Sequence, residues 1–183
     1  YPTPIVVGPF AEDDWDDLVA PLVGQSVAVD GSARKELMNW SGGVPVLAAA
    51  MLERLASGAR DRQMLSKADV DAIAADMLGQ PPTHLQDLWE DCSQELRSDI
   101  AVLAENDGSP LAELSVPRQR ALDGRGYGSI SGSRMRSGCR LMARYAVQQG
   151  PAVADLKRLF GVRRDFEANV RGLLELRLAH LAH

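Results

Sequence analysis

The chain has only three histidines and two cysteines in 183 residues, and aromatic side chains make up 5 % of it. Histidine supplies most general bases, so acid–base catalysis has few candidates here. His84 stands near a helix start, while His180 and His183 lie three apart on the last turn of the chain. Imidazole is favoured at a helix C-terminus, which accounts for that pair without a metal. Cys92 and Cys139 have no partner at metal-ligand or redox-motif spacing and read as buried free thiols in a reducing cytoplasm. No apolar run approaches the ~18 residues that a membrane span needs. The opening YPTPIVVGPF lacks the basic region and long apolar core of a signal peptide. The phosphate-cradling pattern GxxxxGK[ST] is also missing. These absences lead to the expectation of no catalytic residue, no metal site, no membrane partner and a cytoplasmic location.

Forty-five per cent of the residues are hydrophobic, enough to bury a core without disulfides or metal. The formal charge of −5 conceals a polarised chain. Residues 1–116 hold 7 basic and 20 acidic side chains, whereas residues 117–164 hold 11 basic and 2 acidic. A basic surface on one module can meet nucleic acid or the acidic module beside it. The carboxylates at Glu12 to Asp17 and at Glu90-Asp91 read as a solvated acidic face.

The pattern along the chain is mainly helical. Ile5, Val6 and Val7, set between Pro4 and Gly8-Pro9, predict a short buried strand, and an acidic-capped helix follows through Trp15, Leu18 and Leu22. A helix is expected from Ala33 to Trp40, stopped by Ser41-Gly42-Gly43. Pro45 opens the next at a first-turn position, and Gly58 ends it. Ser66 and Asp69 mark an imperfect capping box for a helix over Lys67 to Leu78. Pro81-Pro82 is the expected domain boundary. Beyond it, Leu85, Leu88, Cys92, Leu96, Ile100 and Leu103 predict one long amphipathic helix. A short helix through Leu111 and Leu114, a third from Pro117, and a Gly-rich hairpin over Ser129 to Ser137 give the order of a winged helix-turn-helix. Helices from Arg140 onward end in a stripe of Phe166, Val170, Leu173, Leu174, Leu178 and Leu181. The expected division is a strand plus helical domain at 1–80, a winged-helix domain at 81–150 and a helical extension at 151–183.

The run LMNWSGGVPVLAAAMLERL resembles the lid helix of STAND and related AAA+-type NTPases, in which a GxP motif follows a small helix. The resemblance implies that Gly43, Val44 and Pro45 form that motif, with the proline near a bound nucleotide. PIVVGPFAEDDWDDLVAPL is similar to the last core strand and first lid helix of such ATPases. The segment from Leu88 to Ile130 resembles the winged helix that follows. This likeness covers residues 1–148 and rests on the order of elements. It implies a regulatory segment, a piece of a longer protein, with no cofactor bound by this chain alone and ATP or ADP bound when it is joined to its core. A protein partner, the ATPase core or another copy, is implied with it. The junction also serves without a ligand, as a glycine stop and a proline start between two helices.

The basic segment supports a different expectation. A DNA-binding winged helix would use Arg118, Arg120, Arg125, Arg134, Arg136 and Arg140 on phosphates. Against this, VPRQRALDG has few amide side chains for reading base edges. A third expectation is an adaptor that pairs through the Phe166 to Leu181 stripe.

Overall fold

The computed structural model describes residues 9–10, 14, 28–58, 64–106 and 108–150. The strand expected at Ile5 to Val7, the helix through Trp15 to Leu22 and the whole extension 151–183 lie outside the described residues. Within them the fold is mainly helical, with a small three-stranded antiparallel sheet.

Asp30 begins the first described helix, α1 (Gly31–Ser41), by accepting the Ala33 N–H on its side chain at 2.8 Å. Aspartate is a strong N-cap because it satisfies one of the orphan amides of the first turn. Gly42 ends α1 in the left-handed region, at φ 64°, and its N–H donates to the Met38 carbonyl. Pro45 then opens α2 (Pro45–Gly58). Before α1, β1 (Ala28–Val29) pairs in parallel with β2 (Met64–Leu65), which precedes α3 (Lys67–Gly79). Asp69 caps α3 by accepting from both the backbone N–H and the hydroxyl of Ser66.

The single long helix expected after Pro82 is two helices, α4 (Thr83–Glu90) and α5 (Gln94–Glu105). Ser93 caps α5 through the Leu96 N–H. Arg97 reaches back to donate to the carbonyls of Trp89 and Glu90, at 2.9 Å each, and so closes the end of α4. These contacts satisfy the groups that a helix break leaves bare.

Next come β3 (Ser109–Pro110), a 3-10 turn at Leu111–Glu113, α6 (Val116–Gly124), β4 (Gly128–Ser131) and β5 (Arg134–Ser137). The sheet order is β3-β5-β4, with Ile130 opposite Met135 and Ser109 opposite Met135 from the other side. The last described helix, α7 (Arg140–Gln149), buries Leu141, Met142, Tyr145 and Ala146. It packs on α5, α1 and α3.

The boundary expected at Pro81-Pro82 falls within one continuous apolar cluster that includes Leu37, Leu47, Met51, Met77, Leu85, Ile100, Leu122 and Met142. Fully burying each such side chain contributes roughly 1.5–3 kcal/mol. Among the described residues, no helix is long and apolar enough to cross a membrane.

Candidate functional site

The Gly42-Gly43-Val44-Pro45 turn stands where three stretches of backbone meet. The Phe10 N–H donates to the Gly43 carbonyl at 2.8 Å. A Cβ on Gly43 would lie 2.6 Å from the Phe10 carbonyl oxygen, and one on Gly42 would lie 2.5 Å from that of Gly126. Both glycines have positive φ, so the turn needs them for conformation as well as for space. Val44 is buried and Pro45 half-buried. The Gly126 turn returns the contact: its Cβ would meet the Gly42 oxygen at 2.6 Å and Val44 Cγ2 at 3.2 Å. The junction between α1 and α2 is therefore seated directly on the loop that leads from α6 into the hairpin.

Beside it, Cys139 is fully buried, and its thiol donates to the Trp40 carbonyl at 3.2 Å. Burial pushes this thiol up to about 12, against two backbone hydrogen bonds that lower it. Tyr127 is also raised, chiefly by burial. Neither group is set up as a nucleophile.

A second set of contacts links α1, α3 and α7. Glu36, 6 % exposed, pairs with Arg140 and lies 3.3 Å from Lys67. The Arg140 guanidinium sits 4.4 Å from the centre of the Trp40 ring. Trp40 Nε1 donates to Asp71 at 2.8 Å, and Lys67 pairs with Asp71 at 2.7 Å. The hydrogen bonds from Lys67 and Trp40 hold the Asp71 carboxyl below its ordinary range. Lys67 and Asp71 are an i,i+4 pair legible in the sequence, but the long-range part of this network is not, since Glu36 and Arg140 are 104 positions apart.

The six arginines considered for nucleic acid are not brought together on one face. Arg118 clamps the buried Asp99, its Nε donating at 2.6 Å. Arg134 donates to the Gly108 carbonyl at 2.9 Å, and Arg140 is held by Glu36. Arg120 and Arg125 are exposed on α6 and just after it, and Arg136 is exposed on β5. Gln119, the amide side chain of α6 most able to read a base edge, instead donates to the carbonyls of Leu111 and Leu114. Arg144 on α7, which the sequence did not single out, lies near Arg136 and Arg140 along one groove.

His84 is exposed on α4, and among the described residues no group of three His, Cys, Asp or Glu side chains could hold a metal. His180 and His183 lie outside the described residues. No family model matches the chain, and no curated protein or solved structure shows significant similarity to it.

Proposed function

We propose that the chain is a non-catalytic control segment of a STAND/AAA+-like ATPase, a helical lid joined to a winged helix. In this reading it couples the nucleotide state of a core to the packing of those two parts. The nucleotide is held by a core that carries the P-loop, and Gly43, Val44 and Pro45 are the part of this chain that responds to it.

The observation that carries the reading is the contact between the Gly42 and Gly126 turns. Packed backbone has no long side chains to absorb a shift, so displacement of the Gly43-to-Pro45 turn moves the loop entering the hairpin as well. The winged-helix part of the reading draws on the order α5, β3, 3-10 turn, α6, β4, β5 and on the β3-β5-β4 pairing. Nucleotide would act by favouring one of two packings.

The isolated chain is expected to show no ATP or ADP binding by calorimetry at about 0.1 mM, a level that detects ordinary nucleotide sites. Joined to its core, exchange of ADP for ATP is expected to change hydrogen-exchange protection at residues 126–139. Tight stoichiometric binding to the isolated chain, or unchanged protection in the joined protein, overturns the reading.

A duplex-binding winged helix is the second reading, favoured by the exposure of Arg120 and Arg125 around α6 and of Ile130 in the hairpin. It requires binding that weakens steeply with salt and loses slope when Arg120 and Arg125 become Ala.

A further inference from the structure

Along β5 the side chains alternate. Met135 is fully buried on the α6 side, where a Cβ on Gly128 would stand 2.7 Å from its Sδ and 3.0 Å from Leu122 Cβ. Arg134 and Arg136 therefore project from the opposite face of the sheet. On that face, between β5, the end of α5 and α7, lies a groove of about 480 Å³. Arg136, Arg140 and Arg144 edge it, the buried Leu103 and Ala143 form its floor, and Val147 supplies exposed apolar surface.

Arg140 and Arg144 are one helical turn apart, a spacing at which like charges repel. Arg140 is neutralised by Glu36. Arg136 and Arg144, by contrast, make no hydrogen bond or ion pair among the described residues. Among the described residues Glu105 is the one carboxylate in the lining, so those residues carry a net positive charge. Val147 is 44 % exposed in the same groove. Two guanidinium groups with no partner among the described residues, beside the exposed Val147, complement a ligand that carries both carboxylates and an apolar side chain.

A nucleic-acid backbone meets only half of that description. Phosphates would satisfy the arginines but would leave the exposed Val147 facing a charged strand. A duplex entered by α6 would also lie on the other face of the sheet. We infer that this groove docks an acidic, apolar-anchored segment of a partner protein. Its carboxylates pair with Arg136 and Arg144, and its apolar side chain covers Val147. The volume suits a short stretch of side chains rather than a folded domain. This holds whether or not the chain is joined to a nucleotide-binding core.

The test uses the full chain and a panel of fluorescein-labelled peptides of about twelve residues, with glutamates and leucines at helical spacing. Controls carry Lys for Glu or Ser for Leu. Binding read by anisotropy is expected for the Glu/Leu peptides alone, weakening several-fold between about 50 and 300 mM salt. Arg136→Glu with Arg144→Glu is expected to weaken binding at least ten-fold, Val147→Ser about three-fold, and Arg120→Glu on the α6 side hardly at all. Circular-dichroism melts confirm folding, and the charge-neutral pair Arg136→Gln with Arg144→Gln replaces the first if that fails to fold. The inference is overturned by absence of binding to the whole panel at low salt or by equal loss in Arg120→Glu. It is also overturned if an all-Glu peptide or duplex DNA competes as well as the Glu/Leu peptides do, since the site is then a simple anion or nucleic-acid surface.

Discussion

Gly42 and Gly126 meet backbone to backbone, each placed so that a side chain on it would strike the carbonyl oxygen of the other, at 2.5 and 2.6 Å. Gly132, in the turn of the hairpin, has a similar positive φ of 60° but nothing within 4 Å of its missing Cβ. The three glycines separate conformational cost from steric cost. Gly132→Ala is expected to cost about 1–2 kcal/mol, the strain of the left-handed region alone. Gly42→Ala and Gly126→Ala add the collision and should cost about 3 kcal/mol or more. Urea melts of the three variants check this. Equal losses at all three positions would mean that the two turns are free to separate.

Arg118 and Asp99 make a bidentate pair in which the carboxylate is 1 % exposed and the guanidinium side chain 33 %. Removing the arginine takes the bidentate partner from a buried carboxylate, whereas neutralising the aspartate acts on a guanidinium that water can reach. Arg118→Ala is therefore expected to cost about 3–5 kcal/mol and Asp99→Asn about half as much. Chemical denaturation at neutral pH distinguishes them, and the reverse order would count against the pair as described.

Asp71 links acid stability to the contacts of α1 with α3. Its carboxyl is depressed below 3.8, first by the hydrogen bond from Lys67 and next by that from Trp40. A depressed carboxyl stabilises the fold above its unfolded value, and the contribution is lost as pH falls through the folded value. The stability difference between the parent chain and Asp71→Asn should accordingly be level above about pH 5 and shrink on further acidification. Melting temperatures from pH 7 down to pH 2 test this. A difference that grew on acidification would have the wrong sign.

Cys139 should be protected from alkylation. With its thiol at about 12, only roughly one molecule in ten thousand carries a thiolate at pH 8, and the side chain is fully buried. Iodoacetamide is expected to modify Cys139 only through opening of the fold, with a rate that rises with urea. Cys92, 4 % exposed and also raised by burial, should react next most slowly relative to a free thiol. Mass spectrometry of the two cysteine peptides gives both rates. Cys139 labelling as fast as an unfolded control would show that α7 does not hold it.

Much of the helical half was legible because its signals are local. Pro45 starts a helix, Gly42-Gly43 stops one, and Ser66 with Asp69 caps another; each acts within one turn of backbone. The break between α4 and α5 was not read, because Leu88, Cys92, Leu96 and Ile100 keep helical phase across it. The deciding groups were the Ser93 hydroxyl and the Arg97 guanidinium. β1, β2 and β3 are two residues long, too short for alternation to register. At the candidate sites, the importance of Gly43 to Pro45 was visible as a junction, but its contact with Gly126 was not. The basic segment was visible as charge, with no sign of which arginines were already engaged.

Sequence by itself determined the helical class, the main stops and starts, and the concentration of positive charge after residue 116, since propensity, capping and composition belong to neighbouring residues. Tertiary structure decided which of those charges are already engaged. Asp99, Glu36 and the Gly108 carbonyl claim Arg118, Arg140 and Arg134, leaving Arg136 and Arg144 to edge a groove. Ion pairing falls off over a few ångströms, so partners far apart in the chain become partners only when packing brings them together.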